Sequence, residues 1–368
     1  MLYLHIPFCH RKCTYCAFYS TVSAGGRQAY VEALCSELEY RRAAMPRPLR
    51  TVYLGGGTPS VLTLDQLGRL VGTVRCCYDV GRLEEATVEA NPEDLTAAYA
   101  AGLAGLRFFN RVSIGIQSFR DEDLRLLNRR HTARQALEAV GNVAAAGFEN
   151  ISVDLIYGLP GQTLAAWREN LAVLARLPVN HFSAYALTVE PGTMLEQQIV
   201  RQKVVLPGEE EVLSHYGALV DWASREGFEQ YEISNFCRPP HRSVHNSRYW
   251  DRTPYLGVGA AAHSFDGVRR RWNVADVRQY VESVAAGDAA HEAELLTPAD
   301  CYNEYVMTAL RTVEGIEKRR VDGPFVGHLA RAVAPALAAG LLVETPTHYR
   351  PTPSGLLQAD RLAVDLMA

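Results

Sequence analysis

The chain has 368 residues, 48% hydrophobic and 21% charged, enough for one large domain and a smaller one. Its net charge of −4 argues against a general nucleic-acid binder, which would present a basic surface. No run approaches the length of a transmembrane helix, and cysteines stand where a signal peptide would need its apolar segment.

Leu2–Ile6 alternates as a strand and runs into a loop broken by Pro7 that carries Cys9, Cys13 and Cys16 at spacing C-x3-C-x2-C. Thiolates this close can gather on one soft metal centre, and three ligands leave a position open for a substrate or cofactor. Cys13 and Cys16 alone also suit a redox-active pair or half of a zinc site. Against zinc, no second C-x2-C and no H-x3-H follows nearby; against a redox pair, Cys9 is left without a duty. With eight cysteines in a long chain and three of them clustered, metal ligation in a reducing cytosol fits better than a disulfide framework. Cys35, Cys76, Cys77 and Cys301 read as buried small hydrophobes.

Helix and strand then alternate. Helices are expected at Arg27–Arg42, Thr63–Val74, up to Leu106, as a pair over Asp121–Ala146, and at Leu164–Leu177. Strands are expected at Thr51–Leu54, Thr87–Ala90, Arg111–Gln117, Ile151–Tyr157 and His181–Leu187. Six units of about 30 residues imply a parallel sheet, closed or nearly closed into a barrel, with helices outside. Ligands collect at the C-terminal strand ends of such barrels. The cysteines, Gly55-Gly56-Gly57-Thr58-Pro59, Glu89, Gln117 and Asp154 are expected there.

The glycine run lacks the Lys-Ser/Thr of a phosphate loop, so by itself it reads as a tight turn with exposed backbone groups. Glu89 and Asp154 are lone acids in apolar strands and need partners. Further on, Glu209–Gly227 reads as a helix and Glu229–Phe236 as extended; a turn at Pro239-Pro240 precedes His245-Asn246-Ser-Arg-Tyr249-Trp250. From about Thr297 two helices (Cys301–Leu310, Phe325–Ala339), a hairpin (Leu341–Glu344 with Tyr349–Pro351) and a last helix (Leu356–Met367) suggest a winged helix. Without a basic stripe, structural or protein-docking use is expected of it rather than DNA binding.

The cysteine loop resembles that of radical S-adenosylmethionine (SAM) enzymes. Tyr3-x-His5-Ile6-Pro7-Phe8-Cys9 is similar to the coproporphyrinogen III oxidase-like branch, and Tyr231–Phe236 with His245-Asn246-x-x-Tyr249-Trp250 to its HemW subgroup of haem chaperones. The resemblance implies an α/β fold: a partial (β/α)6 TIM-like barrel with a smaller C-terminal winged-helix-like α+β domain. Its expected units are 1–190 (barrel and cluster loop), 191–295 (extension with the HNxxYW segment) and 296–368.

It also implies a 4Fe-4S cluster on Cys9, Cys13 and Cys16, with SAM on the fourth iron. The SAM contacts carried over are Tyr3, Tyr15, Gly56, Gly57, Thr58, Glu89, Gln117, Arg129 and Asp154; Arg130 stands beside Arg129 and spacing does not separate them. His245, Asn246, Tyr249 and Trp250 are the expected haem contacts, against a reading in which His245 only packs in a turn. The implied partners are haem or porphyrin, haem-acceptor proteins, an electron donor and a second copy of the chain; nucleic acid is not expected. A cytoplasmic location is implied, with peripheral attachment to a membrane left open.

Two departures bear on the reaction. Coproporphyrinogen oxidases of this branch carry a fourth cysteine where Phe18 stands, and a longer N-terminal extension than precedes Tyr3 here. Haem carriage is therefore expected over oxidative decarboxylation of coproporphyrinogen III by a 5′-deoxyadenosyl radical. Whether SAM is cleaved or only bound stays open, as does a regulator that uses the winged helix on DNA.

Overall fold

The computed structural model describes residues 1–23, 25–45 and 48–368. Six parallel strands form its centre: β1 (Leu2–Ile6), β2 (Thr51–Gly56), β3 (Glu85–Ala90), β4 (Arg111–Gln117), β5 (Asn150–Tyr157) and β6 (His181–Ala186). They lie side by side in chain order and are largely buried, as near-continuous apolar strands covered on both faces should be. Helices α1 (Arg27–Tyr40), α2 (Leu64–Cys77), α3 (Ala97–Gly105), α4 (Asp121–Leu126), α5 (Ala133–Ala145) and α6 (Leu164–Leu174) connect them. Thr63, Thr96, Thr132 and Thr163 start α2, α3, α5 and α6, each hydroxyl accepting the N–H three residues on.

Strand pairing does not close the ring. After α7 (Met194–Val200) and α8 (Glu209–Arg225), β7 (Glu229–Gln230) and β8 (Asn235–Cys237) add to the β6 edge, β8 antiparallel. Past α9 (Val244–Trp250), β9 (Leu256–Val258) adds parallel to β1. The result is an open nine-stranded sheet. A small antiparallel sheet of β10 (His263–Phe265), β11 (Arg269–Asn273) and β12 (His291–Leu295), with α10 (Val277–Ala285), follows.

Residues Tyr302–Leu366 supply a second apolar core. Here α11 (Pro298–Ala309), β13 (Ile316–Glu317), α12 (Phe325–Ala332), α13 (Ala334–Ala338), β14 (Leu342–Glu344) and β15 (His348–Pro351) have winged-helix order, with α14 (Pro353–Leu357) and α15 (Ala359–Leu366) appended. The single helix expected over Phe325–Ala339 is two, because Pro335 has no N–H to continue α12.

One buried acid ties the extension to the barrel. Glu37 on α1 is fully buried and accepts hydrogen bonds from Gly259 N (2.8 Å), Tyr280 Oη (2.7 Å), Asn273 Nδ2 (2.9 Å) and Arg41 (3.1 Å). Arg41 also donates to Gly257 O at 2.9 Å, so the pair holds β9 against β1 and thereby fixes the first strand under the cysteine loop. Glu37→Ala should destabilise the protein by about 3–5 kcal/mol, because it strands Arg41 and three other donors in the interior. Chemical denaturation of the two proteins reads this as a lowered midpoint; an unchanged midpoint would refute it.

Candidate functional site

The cysteine loop leaves β1 and is anchored at several points. Thr21 N donates to Pro7 O (2.7 Å) and Cys9 N to Thr21 O (2.9 Å), closing the loop on its own start. Thr14 N donates to Leu127 O (3.2 Å), Leu195 N to Thr14 O (2.9 Å) and Asn128 Nδ2 to Lys12 O (2.9 Å). The α4–α5 corner and the start of α7 therefore clamp the loop over the C-terminal ends of the strands. Gly57 N donates to Ile6 O at 2.9 Å, and any side chain at Gly57 would meet the backbone of Ile6, Pro7 and Phe8 at 2.8–2.9 Å. Gly56 has φ +109°, a conformation that favours glycine.

Between loop and strand ends lies a cavity of about 680 Å³. Cys9, Cys13, Cys16, Tyr15, Gly56, Gly57, Thr58, Glu89, Gln117, Arg129 and Asp154 all line it. The three thiols are free and partly exposed. Among the described residues no three His, Cys, Asp or Glu side chains converge as ligands of a single ion would. A cubane cluster does not ask for that, since each cysteine holds a different iron. Thr58 Oγ1 donates to Cys9 Sγ and Arg129 to Cys13 Sγ, both at 3.4 Å.

The cavity's charges are half-buried. Glu89 accepts from Tyr53 Oη (2.6 Å) and Gly56 N (3.1 Å). Burial, opposed by the Tyr53 hydrogen bond and reinforced by Asp154, lifts its carboxyl to about 7. Burial raises Asp154 as well. Neither acid is in a salt bridge among the described residues, so the cavity holds two carboxylates suited to a ligand that brings a cation or hydroxyl donors. Arg129 donates to Asn91 Oδ1 (2.7 Å) and Gly115 O (2.5 Å), whereas Arg130 turns away to Glu93 at 4.0 Å. The structure thus separates two arginines that the sequence left equivalent. Gln117 sits at an irregularity in the β4–β5 register with φ 70°, a strained conformation for a non-glycine residue at a binding site.

Not every expected contact is there. Tyr3 does not line the cavity; its hydroxyl pairs with His5 Nδ1 at 3.0 Å. The HNxxYW segment is helix α9 rather than a turn, and it packs at the opposite, N-terminal ends of the strands. Glu85, at the start of β3, accepts the N–H groups of Val244 and His245 at 2.9 Å each. His245 is fully buried, its Nδ1 2.8 Å from Thr51 Oγ1 and its Nε2 3.1 Å from Tyr249 Oη. Burial lowers its pKa to about 3. Both ring nitrogens are thus engaged, and to ligate a haem iron His245 would have to give up one of these partners. Asn246, Tyr249 and Trp250 are half-buried on the same helix.

Several lining residues escaped the sequence reading: Asn91, Ser113 and Tyr185. Asn91 also donates to Thr58 Oγ1 at 3.2 Å and so ties Arg129 to the glycine loop. Strand periodicity was the available signal, since residue 91 falls on the same face as Glu89. Of the cysteines read as buried, Cys35 is buried, Cys76 exposed, and Cys77 and Cys301 intermediate.

Comparison with known proteins fits this geometry. Residues 3–174 match the radical SAM superfamily and residues 296–357 the HemN C-terminal domain. The chain is 36% identical over 324 residues to "Heme chaperone HemW" of Lactococcus lactis subsp. lactis (strain IL1403), covering 88% of this chain and 84% of that protein. It is 36% identical over 373 residues to "Heme chaperone HemW" of Mycobacterium tuberculosis (strain ATCC 25618 / H37Rv), covering 100% and 94%. Among solved structures, coproporphyrinogen III oxidase (HemN) from Escherichia coli superposes with a TM-score of 0.86 at 25% identity, covering 100% of this chain and 89% of that one. A barrel with three cysteines over its strand ends, a HemN-type C-terminal unit and relatives matching from end to end place this chain in the radical SAM superfamily and, within its coproporphyrinogen oxidase-like branch, in the HemW family.

Proposed function

We propose that the protein binds haem and delivers it to acceptor haemoproteins, on a scaffold that holds a 4Fe-4S cluster and SAM. The observation that carries the scaffold is one cavity lined by three free thiols, two half-buried acids without a salt bridge and a half-buried arginine; the haem reading is supported by the HemW relatives that match most of the chain. Cys9, Cys13 and Cys16 would hold the cluster, with Thr58 and Arg129 donating to its sulfur ligands. Once deprotonated, Glu89 accepts hydrogen bonds from an ammonium, and Asp154 from hydroxyls, which suits the amino group and the ribose of SAM. Arg129 would orient the carboxylate, the backbone of the glycine loop the amino group, and the surrounding strands exclude water. Cluster and SAM together would supply one-electron reductive chemistry, for which an electron donor is required.

Oxidation of coproporphyrinogen III is the second reading, favoured by the superposition on HemN. Against it stands Phe18, exposed at the cavity where that branch carries a cysteine. Anaerobically reconstituted protein should bind haemin and should not convert coproporphyrinogen III; turnover to protoporphyrinogen IX would defeat the haem-carrier reading.

Two further outcomes are expected. Cys13→Ala should bring iron and sulfide per chain to background after reconstitution; full occupancy would remove Cys13 from the ligand set. Glu89 titrates at about 7 and only its charged form pairs with an ammonium, so SAM binding releases a proton below neutrality. SAM affinity measured by calorimetry should therefore rise as pH passes upward through about 7, and Glu89→Gln should flatten that rise. An unaltered slope in the variant would assign the proton to another group.

A further inference from the structure

The haem-binding reading leaves open where the macrocycle sits, and on the expected helix the histidine is not accessible. His245 is fully buried with both nitrogens engaged, at the end of the barrel remote from the cysteines. At the other end the cavity divides by chemistry. Its floor is polar, formed by Glu89, Gln117, Arg129 and Asp154, of which Gln117 is buried and the others half-buried. Its mouth is different: Phe18 is 72% exposed and Tyr185 43%, and Leu187 lies beside them. A phenylalanine left this open, at the rim of a cavity and directly after the cysteine loop, is an unpartnered apolar surface.

Two cations and one acid, Glu190, share that rim. Arg11 and Lys12 line the same cavity, are exposed, and take part in no ion pair among the described residues. Against the single acid Glu190 the two cations leave this rim positive, in a chain whose net charge is −4. An apolar platform flanked by two unpaired cations is complementary to a flat apolar ring bearing two carboxylates.

We propose that haem docks at this mouth, with Phe18, Tyr185 and Leu187 against the ring and Arg11 and Lys12 on the propionates, outside the SAM-binding floor. The proposal rests on the haem-binding reading above and assigns its site.

Haemin titration of the full-length, reconstituted protein tests it, with iron and sulfide measured in every variant so that binding is compared at equal cluster content. Phe18→Ala should weaken haemin binding about tenfold. Arg11→Glu with Lys12→Glu should weaken haemin by a similar factor and leave haemin dimethyl ester, which lacks the free carboxylates, unaffected. If both variants bind haemin like the unaltered protein while Trp250→Ala or Tyr249→Ala loses it, the mouth is not the seat and the haem-carrier reading survives. If the unaltered protein itself fails to retain haemin, the proposed function falls, and the site with it.

Discussion

The closeness of two backbones at the top of the sheet sets the geometry of everything above it. Gly57 lies against Ile6, Pro7 and Phe8 with no room for a side chain, and its N–H holds the Ile6 carbonyl. That contact makes β1 and β2 end together and sends the cysteine loop across the strand ends rather than away from them. The loop is too short on apolar residues to hold itself there. It depends on hydrogen bonds borrowed from the α4–α5 corner and from α7, so distant parts of the chain jointly fix the thiols.

The cavity beneath the loop is a case of charge held ready for a ligand. Buried carboxylates without a cation are costly, and the fold reduces that cost by keeping Glu89 protonated up to about neutrality. Arg129, by contrast, is satisfied by neutral acceptors, Asn91 and Gly115 O, and by a cysteine sulfur. Its charge therefore remains available to an anionic group in the cavity. A site with unpaired acids on one wall and an arginine on another fits an amino acid moiety, which carries both charges at once.

The HNxxYW helix has a structural duty that its position explains. It closes the N-terminal end of the barrel, capped by Glu85, and Tyr53 joins it to the cavity: the Tyr53 ring lies 5.0 Å from that of His245 while its hydroxyl donates to Glu89. The segment therefore shapes the floor of the cavity from below. Binding of an apolar ring is better served by the opposite end, where Phe18 stands in solvent.

Much of this was readable in the chain itself. Alternating apolar strands and Thr-capped helices gave the six central units, and their ends located the cysteines, Gly56, Gly57, Thr58, Glu89, Gln117 and Asp154, because parallel sheets gather side chains at one edge. Cysteine spacing and the matching flanks were local signals and survived folding unchanged. What the tertiary structure decided was non-local. Arg129 and Arg130 differ only in which neighbour each reaches, Tyr3 and His245 only in what buries them, and the two- and three-residue strands β9, β10 and β13 have too few residues for periodicity to register. Side-chain chemistry is written in the sequence, whereas accessibility and partnership arise when segments far apart in the chain are packed together.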